Sequence, residues 1–264
     1  MKKFIFIVLT LIFIPLPIYA SDSNEAIIEE TEVFYMDLQD AIANAKSGDT
    51  ITLTSNVTLT EKLTIPANTT LTINLNNKTL SVADISDNYG LVIKGNLTIE
   101  GNGTVNTSGL YGLGVSTTGS LTIKGGTYYN TTGHYLIGNW NNTTIEGGTF
   151  YGNYCVVNGF QGNTVQVTGG TFNNNEETIV LGNVSVSGGS FNQNVEEYLK
   201  EGSTITKKDN IYYVSNTEQT FKENTEEKQP KSSNKTPYIL LSIILIPIII
   251  FLPKIFKTIK QKFI

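Results

Sequence analysis

A short motif recurs six times in this sequence at near-regular spacing. The copies read LTINLNNKTL from Leu71, LTIEGNGTV from Leu97, LTIKGGTYYN from Leu121, TTIEGGTFYGN from Thr143, VQVTGGTFNNN from Val165 and VSVSGGSFNQN from Val184. Their third residues are separated by about 26, 24, 22, 22 and 19 residues, a period that is typical of solenoid proteins. This repeat constrains the fold more strongly than any other feature of the chain.

Each copy has the pattern of a short strand followed by a bend. Leu121 and Ile123 alternate with polar residues, which predicts a half-buried strand. Gly125 and Gly126 follow and predict a sharp turn of the chain. Units of about 22 residues without helical periodicity are too short for propeller blades and lack the helix of leucine-rich repeats. We therefore predict an all-β fold, a single-stranded parallel β-helix of about six to seven coils. Because parallel crossovers are usually right-handed, we expect this helix to be right-handed.

Stacked coils place equivalent residues of successive copies directly above one another. This stacking predicts an aromatic column in the core, formed by Tyr128, Phe150, Phe172 and Phe191. The single cysteine, Cys155, lies in an apolar run without a neighbouring base. We therefore interpret Cys155 as a core residue rather than a nucleophile.

The two ends of the chain carry signals for export and for membrane anchoring. Residues 1–20 combine two lysines, an apolar stretch and a small residue at Ala20, which predicts a cleaved signal peptide. Residues 236–253 are almost continuously apolar and predict a single transmembrane helix. The lysine-rich residues 254–264 predict a basic cytoplasmic tail, so that the N-terminal ectodomain lies outside the cell membrane.

The remaining chain divides into a capped solenoid and a linker. We interpret residues 21–31 as an N-terminal spacer, 32–59 as an N-terminal cap with the first strands, 60–194 as the β-helix, 195–214 as a C-terminal cap and 215–235 as a disordered linker. Leu38, Ile42 and Ala45 have helical spacing and predict a short helix that covers the open N-terminal end of the solenoid. The chain has a net charge of −5, which argues against a nucleic-acid partner.

The chain resembles one known superfamily. The stretch LQDAIANAKSGDTITLTSNVTLTEKLTIPANTTLTINLNNKTLS, which ends at Ser81, is similar to the opening of surface proteins with a pectin-lyase-like, right-handed parallel β-helix. The repeats with GGTF or GGSF and the closing EEYLKEGSTITKKDNIYYV resemble exported proteins of Gram-positive bacteria with a pectate-lyase-like adhesive domain. The resemblance implies the fold over residues 32–214, whereas the superfamily includes lyases, hydrolases, adhesins and structural spikes.

The residue inventory argues against the polysaccharide-cleaving activities of this superfamily. The resemblance implies that its pectate lyases use a basic residue, usually arginine, beside carboxylates that hold Ca²⁺, and that its polygalacturonases use clustered aspartates. The chain contains no arginine, and residues 89–194 contain no aspartate. Calcium also requires several oxygen ligands at one point. We therefore predict a protein that is not an enzyme and that has no metal site and no cofactor.

The weak catalytic candidates are Glu100, Glu146 and Lys124. They follow equivalent strands of successive coils, which would separate the two carboxylates by on the order of 9 to 10 Å, at the upper limit for an inverting glycosidase. A lysine between two carboxylates disfavours the protonated form that a general acid needs. We therefore interpret these residues as paired charges on a solvated face.

Aromatic residues outside the core are the better candidates for ligand binding. Trp140 lies in the asparagine-rich segment GNWNN, and Tyr129 and Tyr151 occupy one outward column. Flat rings among amides suit the apolar face and the hydroxyl rim of a sugar. The alternative for Trp140 is that its ring folds back and covers apolar surface of the coil. His134 is the only histidine of the chain, and a lone histidine makes no metal site.

Three functions remain open at this point. The first is a membrane-anchored cell-surface protein whose β-helix is an adhesive or binding module, with a glycan, a cell-wall polymer or a host or neighbouring cell surface as its ligand. The second is a structural spacer of the envelope. The third is a polysaccharide lyase or glycoside hydrolase. The first is favoured because the sequence offers an amide-rich repeating surface but no convergent set of catalytic residues.

Overall fold

A computed structural model of the chain describes residues 24–82, 88–130, 135–152, 155–159, 163–174 and 180–216. These residues form a parallel β-solenoid with one short α-helix. The predicted signal peptide, transmembrane helix and cytoplasmic tail lie outside the described residues, as do His134 and residues 217–235 of the predicted linker. Within the described ranges, the structure has no helix with the length and apolar character that a membrane span requires.

The strands are short and follow one another closely along the chain. In chain order the elements are β1 (Ala26–Ile28), β2 (Val33–Tyr35), α1 (Leu38–Asn44), β3 (Thr50–Leu53), β4 (Val57–Leu59), β5 (Leu63–Ile65), β6 (Thr70–Asn74), β7 (Lys78–Val82), β8 (Tyr89–Ile93), β9 (Asn96–Glu100), β10 (Gly103–Thr107), β11 (Tyr111–Val115), β12 (Ser120–Ile123), β13 (Thr127–Asn130), β14 (Tyr135–Asn139), β15 (Asn142–Ile145), β16 (Thr149–Gly152), β17 (Cys155–Gly159), β18 (Val165–Val167), β19 (Thr171–Asn174), β20 (Val180–Gly182), β21 (Val184–Val186), β22 (Gly189–Phe191), a 3₁₀ turn (Glu196–Tyr198), β23 (Ser203–Lys208) and β24 (Ile211–Asn216).

Successive strands contribute in rotation to three sheets that run along the solenoid. Sheet A has the order β2-β1-β3-β6-β9-β12-β15-β18-β21, sheet B the order β23-β24-β22-β19-β16-β13-β10-β7-β4, and sheet C the order β20-β17-β14-β11-β8-β5. The strands of neighbouring coils pair in parallel, whereas β1 with β2 and β23 with β24 pair antiparallel at the two ends. Strands β6 to β20 form about five turns. These are flanked by the turn formed by β3 to β5 and by the partial turn formed by β21 and β22. The sequence predicts six to seven coils, more than the structure has as complete turns, and the sixth copy of the motif lies in the partial turn β21 to β22.

The third residues of the motif copies form one aliphatic column on the inner face of sheet A. In register, the column runs through Val33, Ile28, Ile51, Ile73, Ile99, Ile123, Ile145, Val167 and Val186. From Ile28 to Val186 every member is at most 2 % exposed. The repeat period therefore identifies the core of this sheet correctly.

An aromatic column fills the inner face of sheet B. Tyr128, Phe150, Phe172 and Phe191 are fully buried, and their rings stack with centroid separations of 5.0, 4.7 and 4.8 Å. The Tyr128 hydroxyl donates a hydrogen bond of 2.8 Å to the carbonyl of Gly125, and burial raises the pKa of this phenol. The column confirms the packing that was predicted from the aligned copies.

The last four copies contain a glycine pair, which lies where the chain turns from sheet A to sheet B. Gly148 has a φ of +100°, a conformation that residues with a Cβ rarely adopt. A Cβ on Gly147 would lie 2.5 Å from the carbonyl oxygen of Lys124 in the neighbouring coil. The first glycine permits close stacking of the coils, and the second permits the bend.

The N-terminal end carries the predicted helix and a hairpin that the sequence does not predict. Helix α1 begins after Asp37, whose side chain accepts a 2.6 Å hydrogen bond from the N–H of Gln39. It buries Leu38, Ala41 and Ile42, and it ends at Asn44 because Ala45 is already extended. Strand β1 lies within residues 21–31, so this segment belongs to the fold from residue 26 rather than acting as a spacer. Its three residues carry no copy of the repeated motif, which is why the pattern does not reveal it.

The boundaries of the solenoid also differ from those predicted. The parallel ladder begins with β3 at Thr50, about ten residues before the predicted start at residue 60. At the other end, β24 pairs antiparallel with β22 and forms a hairpin with β23. The C-terminal cap therefore extends to Asn216, two residues into the predicted linker.

Candidate functional site

The three charged candidates lie at the ends of adjacent strands on the outer face of sheet A. Lys124 Nζ is 3.7 Å from Glu100 Oε2, with the two side chains 50 % and 36 % exposed. Glu146 is exposed at the next coil. An ion pair between such exposed groups contributes at most about 1 kcal/mol to stability. Among the described residues, no group of three or more His, Cys, Asp or Glu side chains could hold a metal ion.

Tyr129 and Tyr151 form a stacked pair on the outer face of sheet B. The two residues are in register between β13 and β16, and their rings are 4.8 Å apart and 6° from parallel. Tyr151 is 39 % exposed. The pair is thus a small aromatic surface on the outer face of sheet B.

Trp140 lies on sheet C, at the end of β14, and therefore on a different sheet from Tyr129 and Tyr151. Its ring is partly buried and stands edge-on to Tyr111 at 5.0 Å and to Tyr89 at 5.9 Å. Tyr111 is stacked between Tyr89 at 5.4 Å and Tyr135 at 5.2 Å. We call Tyr89, Tyr111, Tyr135 and Trp140 the aromatic cluster.

Two glycines of sheet C make room for the aromatic cluster. A Cβ on Gly114 would lie 2.5 Å from Cδ1 of Tyr89, and a Cβ on Gly138 would lie 2.7 Å from Cδ1 of Tyr111. Gly114 and Gly138 are in register in β11 and β14. The rings of Tyr89 and Tyr111 therefore each lie over a glycine of the next coil. A larger residue at either position would displace the ring.

The Tyr111 hydroxyl of the aromatic cluster has a shifted pKa. The pKa of Tyr111 is raised, first by burial and then by the neighbouring phenols of Tyr135 and Tyr89. The Tyr111 hydroxyl therefore remains protonated at neutral pH and can act as a hydrogen-bond donor.

A cleft of about 300 Å³ opens beside Trp140 and Tyr89. Its lining consists of Tyr89, Val92, Gly114, Ser116, Thr117 and Trp140. Ser116 and Thr117 bring two hydroxyl groups to this lining. None of the six lining side chains is charged. The cleft thus combines aromatic and apolar surface with a hydroxyl rim, which suits a neutral ligand with an apolar face and several hydroxyls.

The sequence motifs identify Trp140 but not its tyrosine neighbours. The sequence pattern that identifies these tyrosines is the second apolar run of the repeats. This run reads YGLVI from Tyr89, YGLGV from Tyr111 and YLIGN from Tyr135. Aligned on the tyrosine, these runs also place Gly114 and Gly138 in one column. An alignment of these runs would predict a tyrosine ladder, although not the position of Trp140 against it.

No protein-family model matches this sequence, and neither a curated protein nor a solved structure is significantly similar to it.

Proposed function

We propose that this chain is a non-catalytic, membrane-anchored cell-surface protein whose solenoid binds a glycan beside the aromatic cluster. The observation that carries the proposal is the cleft in which Trp140 and Tyr89 meet hydroxyl-bearing Ser116 and Thr117 without any charged side chain. Apolar C–H faces of a sugar ring pack on aromatic side chains, and sugar hydroxyls hydrogen-bond to a polar rim. Ligands of this chemistry include cell-wall polymers and the glycans of host or neighbouring cells.

The exposed charges on sheet A favour binding over polysaccharide cleavage. Lys124 is paired with Glu100 at the surface, where water solvates both groups. A general acid is usually activated by burial or by a second carboxylate, and neither describes this pair. We therefore assign no catalytic role to Glu100, Lys124 or Glu146.

The proposal extends to cellular context and to the kind of β-helix. We assign the chain to the right-handed, pectin-lyase-like surface proteins of Gram-positive bacteria, the group with pectate-lyase-like adhesive domains. The sequence resemblance over residues 32–214 supports this, as does the parallel three-sheet solenoid with an N-terminal helix. The predicted signal peptide at residues 1–20, helix at 236–253 and basic tail at 254–264 support an exported ectodomain on a single membrane anchor.

Glycan-array binding by the purified full-length chain tests the proposed function. We expect binding to one or more neutral glycans, and a loss of at least about tenfold in affinity for Trp140→Ala because the largest ring of the cleft is removed. Tyr213→Ala is the matched control, since Tyr213 is an aromatic residue in β24 that is 45 % exposed and lies outside the cleft. Circular dichroism and thermal unfolding confirm that each variant remains folded.

Two other results would replace the proposal. An absence of binding to any glycan, together with normal export and assembly, would favour a structural spacer of the envelope. Depolymerisation of a glycan or polyuronate that is lost in Glu146→Gln would identify a polysaccharide-cleaving enzyme.

A further inference from the structure

The N-terminal end of sheet A has an open apolar edge. Strand β2 is the outermost strand of this sheet and pairs with β1 on one side, while no described strand pairs with its other side. Val33, Phe34 and Met36, in and directly after this strand, are 45 %, 54 % and 55 % exposed. Unpaired backbone groups beside exposed apolar side chains can accept another strand.

The inner column of sheet A ends at this edge. Val33 is in register with Ile28, which is 1 % exposed, and Ile28 is in register with Ile51, which is fully buried. Val33 is thus the last described member of the column, and no coil among the described residues covers it. A strand added beside β2 would bury Val33 as the coils bury the other members.

The surroundings of the open edge are acidic. Residues 24–50 contain seven carboxylates and one lysine, Lys46. Glu29, Glu30, Glu32, Asp37 and Asp40 are all exposed. Glu30 is held in place, because its carboxylate accepts hydrogen bonds of 2.9 and 3.0 Å from the N–H of Thr50. A second copy of this chain would bring a second set of these carboxylates to the same place, which disfavours self-pairing.

The edge strand at the opposite end of the solenoid carries lysines. There the outermost strand is β23, and its residues Lys207 and Lys208 are exposed. Lysines on an edge strand are a common means of preventing pairing with another strand. Strand β2 has no lysine, and its exposed side chains are apolar.

We infer that the edge of β2 binds an extended segment of a partner protein in which lysine or arginine alternates with apolar residues. The segment adds a strand to sheet A, so that main-chain hydrogen bonds supply affinity and the apolar edge with its acidic surroundings supplies selectivity. This site is independent of the glycan site on sheet C.

Hydrogen exchange and binding measurements with a defined probe test the inference. The probe is a short, capped peptide of alternating valine and lysine, and its control replaces each lysine with glutamate. We expect the full-length chain to bind the lysine peptide more tightly, with affinity that falls as salt rises, and with slower exchange of the amides of residues 33–36.

Variants separate the apolar from the electrostatic part of the binding. Phe34→Thr with Met36→Thr retains residues that suit a strand and is expected to weaken binding at least about tenfold, because the apolar contact is lost. Glu32→Gln with Asp40→Asn is expected to weaken binding about threefold to tenfold. Tyr213→Thr, at the other end of the solenoid, is expected to leave binding unchanged.

Three results would overturn the inference. They are equal affinity for the lysine and glutamate peptides, exchange protection that is absent or lies outside residues 33–36, and concentration-dependent dimerisation that is lost in the Phe34→Thr and Met36→Thr variant. The last result would assign the edge to a second copy of the chain.

Discussion

The indole ring of Trp140 stands edge-on to the ring of Tyr111, with centroids 5.0 Å apart and ring planes at 81°. Tyr111 is itself held by stacking on Tyr135 at 5.2 Å. Aromatic pairs in such arrangements contribute about 0.5–1.5 kcal/mol beyond the burial of their area. The cluster therefore orients Trp140 before a ligand arrives, which reduces the conformational entropy that binding would cost.

Substitution of Gly138 tests how closely the aromatic cluster depends on the coil beneath it. In Gly138→Ala the new Cβ would lie 2.7 Å from Cδ1 of Tyr111 and 2.9 Å from Cζ3 of Trp140. We expect a loss of about 1–3 kcal/mol in the free energy of unfolding, because both rings must move. Urea unfolding measures the loss, and a shifted tryptophan emission reports the movement. An alanine variant with wild-type stability and emission would show that the rings are not held in this way.

The aromatic column in the core is expected to dominate the stability of sheet B. Phe172 stacks between Phe150 and Phe191 and is fully buried. Phe172→Ala should lower the free energy of unfolding by about 3–5 kcal/mol, since a cavity replaces the ring. The control is Tyr151→Ala on the outer face, which should cost much less. Similar losses for both variants in chemical unfolding would contradict the assigned core.

The core of the solenoid could be predicted from the sequence, whereas the candidate site could be predicted only in part. Alternation with period two determines which face of each strand is buried, and the copies fix the register of Ile73 on Ile99 and of Phe150 on Phe172. Trp140 is recognisable as an aromatic residue in a polar segment. Its contact with Tyr89 is not predictable, because these residues are far apart in the sequence and the tyrosine ring extends over the next coil.

The hairpin at the N-terminal end could not be predicted for a different reason. Strand β1 has three residues, and its pairing with β3 is antiparallel, unlike every pairing that the repeat implies. Ala26 and Ile28 alternate with Ile27, which is apolar as well, so the segment has no period-two pattern. Only the packing against β3 distinguishes this strand from a spacer.

The hairpin is expected to weaken in acid through Glu30. The hydrogen bond from the N–H of Thr50 is the main reason that the pKa of Glu30 lies below its ordinary value of 4.5. Because the folded pKa is the lower one, this carboxylate stabilises the fold above about pH 4.5, and the contribution is lost as the pH falls through the folded pKa. Glu30→Gln should therefore reduce stability at neutral pH and make little difference in strong acid. Urea unfolding of the wild type and of Glu30→Gln measures the difference in their free energies of unfolding, once at neutral pH and once in strong acid. Equal differences under the two conditions would contradict this role.

The proposal that the cleft on sheet C binds a glycan is tested most directly by the fluorescence of Trp140, the only tryptophan of the chain. The full-length chain is titrated with a neutral glycan that it binds, and calorimetry supplies the dissociation constant independently. If the glycan occupies the cleft, the tryptophan emission changes saturably with the same dissociation constant, and Trp140→Ala abolishes the calorimetric signal. Calorimetric binding that leaves the emission unchanged and persists in Trp140→Ala would place the glycan elsewhere and contradict the account.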